Sequence, residues 1–411
     1  MKNNRWLFVF LFLIGLGVFV GLRASGDRAD GRSPDQELIA LQKAIKAEGL
    51  SWVAGETSMT RLSEEERMRR LGARLRPIQE RNLVAALDAE PETAGDLCAT
   101  PPAGLDWRDN NGNWITPIRD QGNCGSCWAF ASAGILEFLV KKAKKIQTDF
   151  DLSEQTLVSC SGAGDCDGGY QDDAAQFLKR TGIPRESCFP YSATDEKCKP
   201  CSGWMSKAVK ILSWRAYSNR TKAVLEAALQ DGPINSYMEV YSDFYSYRSG
   251  IYKRTAGAAY KGGHAVVIIG YNDKEGYWIC KNSWGTDWGE DGFFRIRMGD
   301  SEIGSYCVGM SGTNLVNHAP VLNAIPSQSG DEGKLIAFTL SASDSDYDIL
   351  TYSGANLPSG AVVDPASGSF SWTPDFTQAG VYSIQFAVTD GINKVQRTAV
   401  ITVANVKYKK W

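Results

Sequence analysis

The sequence is poor in histidine and has no excess of charge of either sign. Its 411 residues include two histidines, His264 and His318, and 44 basic against 47 acidic residues give a net charge of −3. Chemistry that needs an imidazole therefore has two candidates. The even charge balance argues against a general affinity for nucleic acid, which requires a basic surface. With 43% hydrophobic and 22% charged residues, the composition excludes a disordered chain. The length predicts two or three folded domains.

Cysteine is absent from the last 104 residues. Cys98 stands apart, and the other nine cysteines lie between Cys124 and Cys307. Ten cysteines in a chain of this length are too few for a small disulfide-bonded scaffold. Their placement instead distinguishes a cysteine-containing middle region from a C-terminal region of another kind.

The first 25 residues have the features of an export signal. Lys2 and Arg5 precede an uncharged apolar run of 17 residues, Trp6 to Leu22, and small residues suited to cleavage follow at 24–26. This order predicts a signal peptide over residues 1–25. A membrane anchor is the alternative, although the run is at the short limit for a bilayer span. Either interpretation places the rest of the chain in an exported compartment, where disulfides form.

Residues 26–98 form a segment too small to be a stable enzyme domain alone. Pro34 to Ala47 has the apolar period of an amphipathic helix. Thr60 to Leu75 is a second helix candidate, in which Ser63 and Glu66 match a capping box.

Residues 99–314 combine helical and strand patterns. Gly125 to Lys145 predicts a helix with a broad apolar face. Three strand-like runs follow it, at 265–271, 277–281 and 293–298. A helical half followed by a β half predicts the α+β class.

Residues 315–411 begin with a linker that contains His318 and continue as short alternating strands separated by turn residues. The strands are predicted at 335–340, 349–352, 368–372, 382–389 and 397–403. This pattern predicts an all-β sandwich of about 90 residues.

The strongest local signal is the run Gln121–Phe130, which contains Cys-Gly-Ser-Cys127-Trp. The pattern C-G-[SA]-C-[WY] surrounds the nucleophile of papain and the cathepsins, with a histidine and an asparagine about 130–150 residues later. Here His264, after two glycines, follows Cys127 by 137 residues, and Asn282, in Lys-Asn-Ser-Trp-Gly, follows it by 155. On these motifs, residues 105–314 resemble the papain family of cysteine peptidases. The resemblance implies the papain-like fold of two lobes, one helical and one β-barrel-like, and no cofactor.

These residue types suit hydrolysis by a thiol. A cysteine in the first turn of a helix has its thiolate favoured by the helix dipole, and a protonated His264 lowers the thiol pKa further. Asn282 accepts from the imidazole and orients it, as the third member of a triad does, and Trp284 shields that hydrogen bond from water. The resemblance assigns oxyanion stabilisation to the Gln121 side chain and the backbone N–H of Cys127. The acyl group then forms a thioester with sulfur, and His264 protonates the leaving amine and later activates water.

An alternative for Cys124-x-x-Cys127 is a redox pair, or half of a zinc site completed by Cys198-x-x-Cys201. About 70 residues separate the two pairs, and a single histidine is available nearby, which disfavours zinc.

The resemblance also implies a substrate cleft. Gly168 and Gly169 are expected to pair with an extended peptide, and Tyr170 to flank the pocket for the side chain second before the cut bond. The rest of this pocket is assigned to Tyr237, Ala265 and Gly312. Because Tyr237 is large, we expect a shallow pocket. Gly263 stands before the histidine, where plant members usually carry an acid, and this predicts an altered pH profile.

The disulfide pairing is implied by the same resemblance. With Cys127 free to act, nine cysteines remain. The family pattern implies Cys124–Cys166 and Cys160–Cys198, and an additional bridge is expected between Cys188 and Cys201. Cys307 matches a family cysteine whose usual partner is missing, so Cys280 is its nearest alternative partner. Cys98 has no assigned role and is free, removed or intermolecular.

Trp52–Thr57 and the two neighbouring helices resemble a short peptidase prosegment. We expect this segment to fold over the cleft and to block Cys127 until the chain is cut between Ala89 and Leu105. A plain spacer between signal and enzyme is the alternative.

The C-terminal region resembles Ig-like or cadherin-like modules of bacteria and archaea, on motifs such as Phe370–Pro374 and Val388–Gly391. Its expected role is contact with a cell surface or polysaccharide, or spacing of the enzyme. Five carboxylates are candidates for a structural calcium site, with a polar turn as the alternative: Glu332, Asp344, Asp346, Asp348 and Asp390.

Together these features predict a secreted or surface-located cysteine endopeptidase that acts on polypeptides and is made as an inactive precursor. The alternative is an adhesion or binding protein whose peptidase domain is secondary or inactive. The intact set of Gln121, Cys127, His264 and Asn282 favours the enzyme, because an inactive domain would be free to lose any of them.

Overall fold

The structure, a computed structural model, describes residues 33–87, 101–315, 318–344 and 349–406. The expected signal or anchor, Cys98, Asp346 and Asp348 lie outside these residues. Within the described ranges, no helix has both the length and the apolar character that crossing a bilayer requires.

The N-terminal segment contains three helices and one short strand, and it includes one correction to the sequence prediction. Its elements are α1 (Pro34–Ala47), β1 (Val53–Ala54), α2 (Glu64–Arg69) and α3 (Ile78–Leu87). α1 has the predicted bounds, and Ser63 and Glu66 form the predicted capping box of α2. The helix expected from Thr60 to Leu75 is wrong in extent, because residues 72–74 leave the helical path and form backbone hydrogen bonds with the middle region of the chain.

The middle region contains two lobes, as the α+β prediction required. Its elements are β2 (Gly104–Asp106), α4 (Cys127–Lys144), α5 (Glu154–Cys160), β3 (Gly164–Asp165), β4 (Gly168–Gly169), α6 (Gln171–Arg180), β5 (Ile211–Ser218), α7 (Lys222–Asp231), β6 (Ile234–Tyr241), β7 (Tyr247–Ser249), β8 (Ile251–Tyr252), β9 (Tyr260–Asn272), β10 (Tyr277–Lys281), β11 (Phe293–Arg297) and β12 (Tyr306–Thr313). Short 3-10 helices occur at Glu186–Cys188, Trp204–Lys207 and Phe244–Ser246.

The helical lobe is built around α4, which contacts both α5 and α6. Trp128, Ile135 and Leu136 on α4 are completely buried. The β lobe is a sheet in the order β5-β12-β6-β9-β10-β11-β8, with β2 added to β9. Because α4 also packs against β9 and β12, the start of this helix faces the long central strand of the other lobe.

Three disulfides have the expected pairing: Cys124–Cys166, Cys160–Cys198 and Cys188–Cys201. The expected bridge between Cys280 and Cys307 is absent, and both thiols are free and buried. Cys280 lies on β10 and Cys307 on β12, and β9 and β6 stand between these strands in the sheet. Strands are spaced about 4.8 Å apart, and a disulfide requires Cα atoms within about 7 Å of each other.

The C-terminal region is all-β, as predicted. Its strands are β13 (Val321–Leu322), β14 (Gln328–Asp331), β15 (Ile336–Thr339), β16 (Ala342–Ser343), β17 (Thr351–Ala355), β18 (Val362–Val363), β19 (Ser369–Trp372), β20 (Gly380–Thr389) and β21 (Lys394–Ala404). They form sheets in the orders β14-β21-β20-β17, β15-β19-β18 and β13-β16. Phe370, Trp372, Ile384 and Phe386 form part of a buried core between them.

Candidate active site

Cys127 is the first residue of α4 and is completely buried. Ser126, which precedes the helix, makes no side-chain cap, because its hydroxyl is bonded to the Tyr191 hydroxyl at 2.6 Å. The N-terminal amides of the helix thus remain available to the sulfur. The backbone N–H of Ala265 donates to Cys127 Sγ at 3.4 Å, so the thiol lies directly beside the strand that carries His264.

His264 is on β9 and forms a 2.8 Å hydrogen bond through Nε2 to Asn282 Oδ1. The same oxygen accepts from the backbone N–H of Ser283 at 2.8 Å, which fixes the orientation of the amide. Since a carbonyl oxygen can only accept, Nε2 carries the hydrogen and Nδ1 the lone pair. Nδ1 is buried and has no hydrogen-bond partner among the described residues. The imidazole is therefore in the tautomer that can take a proton from a thiol.

Trp284 packs against the imidazole with ring centroids 4.6 Å apart, and its side chain is completely buried. Around it lie Phe244, Tyr245 and Trp288, at centroid distances of 5.7, 6.0 and 5.0 Å. This aromatic cluster keeps water from the hydrogen bond between His264 and Asn282.

Burial decides the protonation of the two reactive groups in this form of the chain. It raises the pKa of the Cys127 thiol to about 11, an effect opposed by backbone N–H groups, those of Ala265, Gly72 and Trp128 among them. It lowers the pKa of His264 to about 4, opposed by the hydrogen bond to Asn282. Both groups are neutral near pH 7, so the ion pair expected from the sequence is not formed while the site is covered.

Gln121 is also buried, and its side-chain amide bonds three neighbouring groups. Its Nε2 donates to the carbonyl oxygens of Cys124 at 2.8 Å and of Arg70 at 3.1 Å. Its Oε1 accepts from the Ser283 hydroxyl at 2.7 Å, which holds the amide with its N–H groups toward the cleft. A carbonyl of the N-terminal segment therefore occupies the position where this amide can bind a substrate oxygen.

The part of the N-terminal segment that covers the thiol is residues 70–76, which we call the cleft-crossing segment. The backbone of Gly169 donates to Gly72 O at 2.8 Å and accepts from Arg74 N at 2.9 Å, while Ala73 N donates to Gly263 O at 3.2 Å. Gly72 is packed so closely that a Cβ atom there would collide with the carbonyl oxygen of Gly125. The segment thus lies in the cleft as an added strand, bonded to both walls.

The structure places the residues assigned to the cleft by sequence on β4, β6 and β9 and at the start of α6, with one exception. Gly168 and Gly169 form β4, and Ala265 and Tyr237 are directly paired on β9 and β6. A Cβ atom at Gly263 would lie 2.7 Å from Tyr237 Cε2, so the tyrosine ring fills the space beside this glycine, in keeping with a shallow pocket.

The assignment of Gly312 to that pocket is wrong. β12 pairs with β6 through Cys307–Ser236, Val308–Asn235 and Gly309–Ile234. Extending this register places Tyr306, not Gly312, opposite Tyr237. Gly312 lies beyond the last of these pairs, is exposed, and adjoins the side chain of Leu212.

A buried polar chain behind Asn282 was not predicted. Lys281 Nζ donates to Thr116 Oγ1 at 2.9 Å, the Thr116 hydroxyl donates to Glu137 Oε2 at 2.6 Å, and Glu137 Oε1 accepts from Leu152 N at 3.0 Å. Burial raises the pKa of Glu137 to about 7, opposed by Lys281, and lowers that of Lys281. The signal in the sequence is Glu137 itself, a carboxylate within the apolar face of a helix. These hydrogen bonds hold the end of β10 in place, and Asn282 directly follows that strand.

The proposed calcium ligands in the C-terminal region are only partly described. Glu332 accepts from the backbone N–H groups of Ala379 and Val406, and Asp390 accepts from those of Ile392 and Asn393. Among the described residues, no three His, Cys, Asp or Glu side chains are grouped as metal ligands. With Asp346 and Asp348 outside the description, calcium binding stays a prediction.

A two-lobed fold with a thiol and an imidazole at the lobe junction, covered by a segment of the same chain, defines the precursor of a cysteine hydrolase. Residues 101–312 match the family described as papain family cysteine protease, and residues 319–404 match the family described as "Putative Ig domain". The chain belongs to the papain family of cysteine proteases.

Curated relatives match the middle region. A cathepsin L-like proteinase of Fasciola hepatica is 37% identical over 201 residues, which are 47% of this chain and 60% of that protein. A cathepsin B-like protease of Giardia intestinalis is 39% identical over 231 residues, 51% of this chain and 74% of that protein. The chain therefore spans less than two thirds of the Fasciola relative.

Solved structures of precursors match a larger share of this chain than the middle region alone. The digestive procathepsin L2 proteinase of Tenebrio molitor superposes with a TM-score of 0.59 at 29% identity, over 68% of this chain and 90% of that one. A recombinant stem bromelain precursor gives 0.54 at 26% identity, over 67% and 89%. The likeness to precursors supports the prediction of a prosegment over the plain-spacer alternative.

Proposed function

We propose that this chain is an exported precursor of a cysteine endopeptidase, in which Cys127, His264, Asn282 and Gln121 carry the chemistry and residues 33–87 inhibit it. The observation that carries the proposal is the bond from Gln121 Nε2 to the Arg70 carbonyl, 3.1 Å long, beside the buried thiol. The amide that would stabilise an oxyanion already holds a peptide carbonyl.

The reaction follows from the tautomer of the imidazole. With its lone pair on Nδ1, His264 accepts the thiol proton as sulfur attacks the peptide carbonyl. The tetrahedral oxyanion accepts hydrogen bonds from Gln121 Nε2 and from the backbone N–H of Cys127. The imidazolium then protonates the leaving amine, a thioester remains on Cys127, and water deprotonated by His264 releases the acid.

The prosegment is not cut by this reaction because its chain crosses the cleft in the direction opposite to that of a substrate. Arg70, early in the cleft-crossing segment, contacts Gln121, whereas the later residues Gly72 and Arg74 pair with Gly169. The family resemblance assigns Gly169 to the residues that precede the cut bond. A substrate with its N-terminal residues at Gly169 runs the opposite way, so the prosegment fills the cleft with its peptide units reversed.

Export is supported by the three disulfides of the middle region, since such bonds persist in oxidising compartments. The proposal also includes four features predicted from the sequence. These are the signal or anchor over residues 1–25, the processing site between Ala89 and Leu105, the surface role of the C-terminal region and its calcium site.

The test is hydrolysis of a fluorogenic peptide amide by the chain after its prosegment has been removed. Cys127→Ala should abolish hydrolysis, while Cys280→Ala, which removes another buried free thiol, should retain it. Equal rates for Cys127→Ala and the unaltered enzyme would refute the mechanism. Full activity of the uncut precursor would refute inhibition by residues 33–87.

A further inference from the structure

The prosegment leaves the cleft with an arginine held by three residues of the enzyme. The Arg76 guanidinium lies over the Tyr170 ring, 4.2 Å from its centroid. Its Nε donates to Asp172 Oδ2 at 2.9 Å and its Nη2 to Asp173 Oδ2 at 2.6 Å. Two charge-assisted hydrogen bonds and a cation–π contact thus recognise one side chain.

The receiving side of this contact belongs to the enzyme and stays when the prosegment is removed. Tyr170 directly precedes α6, and Asp172 and Asp173 lie in the first turn of that helix. The helix dipole favours carboxylates at this position whether or not a cation is bound. The side chain of Asp172 is only 4% exposed, whereas that of Asp173 is 47% exposed. The site is therefore built into the helical lobe.

Removal of the prosegment takes the shared guanidinium partner away from Asp172 and Asp173. The two carboxylates lie in one helix turn and raise each other's energy when both are charged, so the site gains by binding another cation. Two carboxylate oxygens at the edge of an aromatic face suit the planar fork of a guanidinium better than the compact ammonium of lysine.

The position of the site relates it to substrate. Tyr170 follows Gly169, whose backbone N–H and carbonyl bond Gly72 and Arg74 of the prosegment. An extended substrate that pairs with the same glycine would carry its side chains before the cut bond past Tyr170. A long side chain at such a position can reach Asp172 and Asp173.

We propose that Tyr170, Asp172 and Asp173 form a guanidinium subsite of the mature enzyme, and that this enzyme favours peptides with arginine two to four residues before the cut bond. The proposal rests on the peptidase function proposed above. The prosegment arginine Arg76 occupies the subsite in the precursor, as a substrate arginine does in the mature form.

The experiment compares matched peptides on the enzyme obtained by removing the prosegment from the full chain. Arginine is placed in turn at the second, third and fourth position before the cut bond, and each peptide is paired with one carrying citrulline, which has the same shape without the charge. We expect arginine to raise kcat/KM about 10-fold over citrulline at one of these positions, and the ratio to shrink as salt is raised.

Variants assign the preference to the site. Asp172→Asn and Tyr170→Leu should bring the ratio of arginine to citrulline rates toward one. Asp173→Asn should do the same, and because this side chain is half-exposed the substitution leaves the packing of the lobe intact. Asp287→Asn is the matched control: it also removes one carboxylate that pairs with a prosegment arginine, Arg61, but in the other lobe. This variant should keep the ratio.

The outcomes separate the two proposals. Hydrolysis that depends on Cys127 but proceeds equally on arginine and citrulline peptides would overturn the subsite and leave the peptidase function intact. An arginine preference that survives Asp172→Asn and Asp173→Asn would also overturn it. Absence of any Cys127-dependent hydrolysis would instead overturn the function on which the subsite rests.

Discussion

The prosegment is attached at two places that are held by different forces. At the first, which we call the aromatic anchor, Trp52 is 2% exposed and packs between Tyr247 and Tyr252, with centroid distances of 6.2 and 5.2 Å. Its Nε1 donates to Lys253 O at 2.9 Å. Val53 and Ala54 add a short antiparallel strand to β7. The anchor therefore combines aromatic burial with side-chain and backbone hydrogen bonds.

The cleft-crossing segment relies on main-chain hydrogen bonds that any extended peptide could make, and on ion pairs. Arg70 pairs with Asp120 at 2.7 Å, Arg74 with Asp165 at 3.6 Å, and Arg76 with the two aspartates of α6. The stabilisation from apolar burial changes little with pH or salt, whereas that from ion pairs changes with both. The anchor thus supplies specific affinity, and the crossing can give way to substrate once the anchor is lost.

The largest effect is expected from removing the anchor. In a Cys127→Ala precursor, which cannot process itself, Trp52→Ala deletes a buried aromatic side chain at a cost of about 3–5 kcal/mol. This should raise the population with a detached prosegment about 150- to 5,000-fold. The measurement is the rate at which a second protease cuts within residues 33–87 of the native protein, which follows the open population when opening is fast.

Val53→Ala is the matched control, because this neighbouring side chain is 55% exposed. Its cutting rate should stay close to that of the parent. If Trp52→Ala were no more susceptible than Val53→Ala, the aromatic anchor would not be the main attachment.

A smaller and more local effect is expected in the cleft. Gly72→Ala adds a Cβ that collides with the carbonyl oxygen of Gly125, and overpacking of this kind costs about 1–3 kcal/mol. The crossing should open about 5- to 150-fold more often, with new cuts near residues 70–76 while the anchor stays protected. Peptide mapping of the cut sites in the Cys127→Ala background measures this.

Gly55→Ala is the control for the second change, since its added Cβ meets the side chain of Arg248, which can move. Cuts distributed over the whole of residues 33–87 in Gly72→Ala would show that anchor and crossing open as one unit, contrary to the comparison.

The sequence located the candidate site better than its surroundings. Cys127, His264, Asn282 and Gln121 stand in short motifs that resemble those of the papain family, and with two histidines in the chain the choice of imidazole was narrow. α1 was predicted to its ends because its apolar period and its proline start are local. Information of this kind is contained in short stretches of chain.

Features that depend on pairing between distant strands were missed. The stretch after Arg69 was expected to continue as a helix, but Gly72 is extended because the cleft walls supply its hydrogen-bond partners. Gly312 was placed in the pocket by the family pattern, and Cys280 was chosen as the partner of Cys307 because the usual family partner is missing. Register between β12 and β6 decides the place of Gly312, and the order of strands in the sheet separates Cys280 from Cys307. Motif spacing carries no information about register or strand order.

The smallest of the expected effects concerns pH. His264 has its pKa lowered to about 4 by burial under the prosegment, whereas an uncovered imidazole titrates near 6.5. The open form therefore binds the proton more tightly, so acid favours opening as the pH falls below about 6.5, and the gain levels off near pH 4. Between pH 7 and pH 5 this predicts at most about a 20-fold rise in the open population.

The measurement is the pH dependence of prosegment cutting in Cys127→Ala compared with Cys127→Ala/His264→Gln, with thermal unfolding of both as a check that each is folded. The double variant lacks the imidazole but keeps the ion pairs of Arg70, Arg74 and Arg76. The cutting rate of the double variant should change less between pH 7 and pH 5. The change that remains is assigned to the carboxylates along the cleft-crossing segment. Identical slopes would assign the whole acid response to those ion pairs, and the contrast between anchor and crossing would then rest on charge pairs alone.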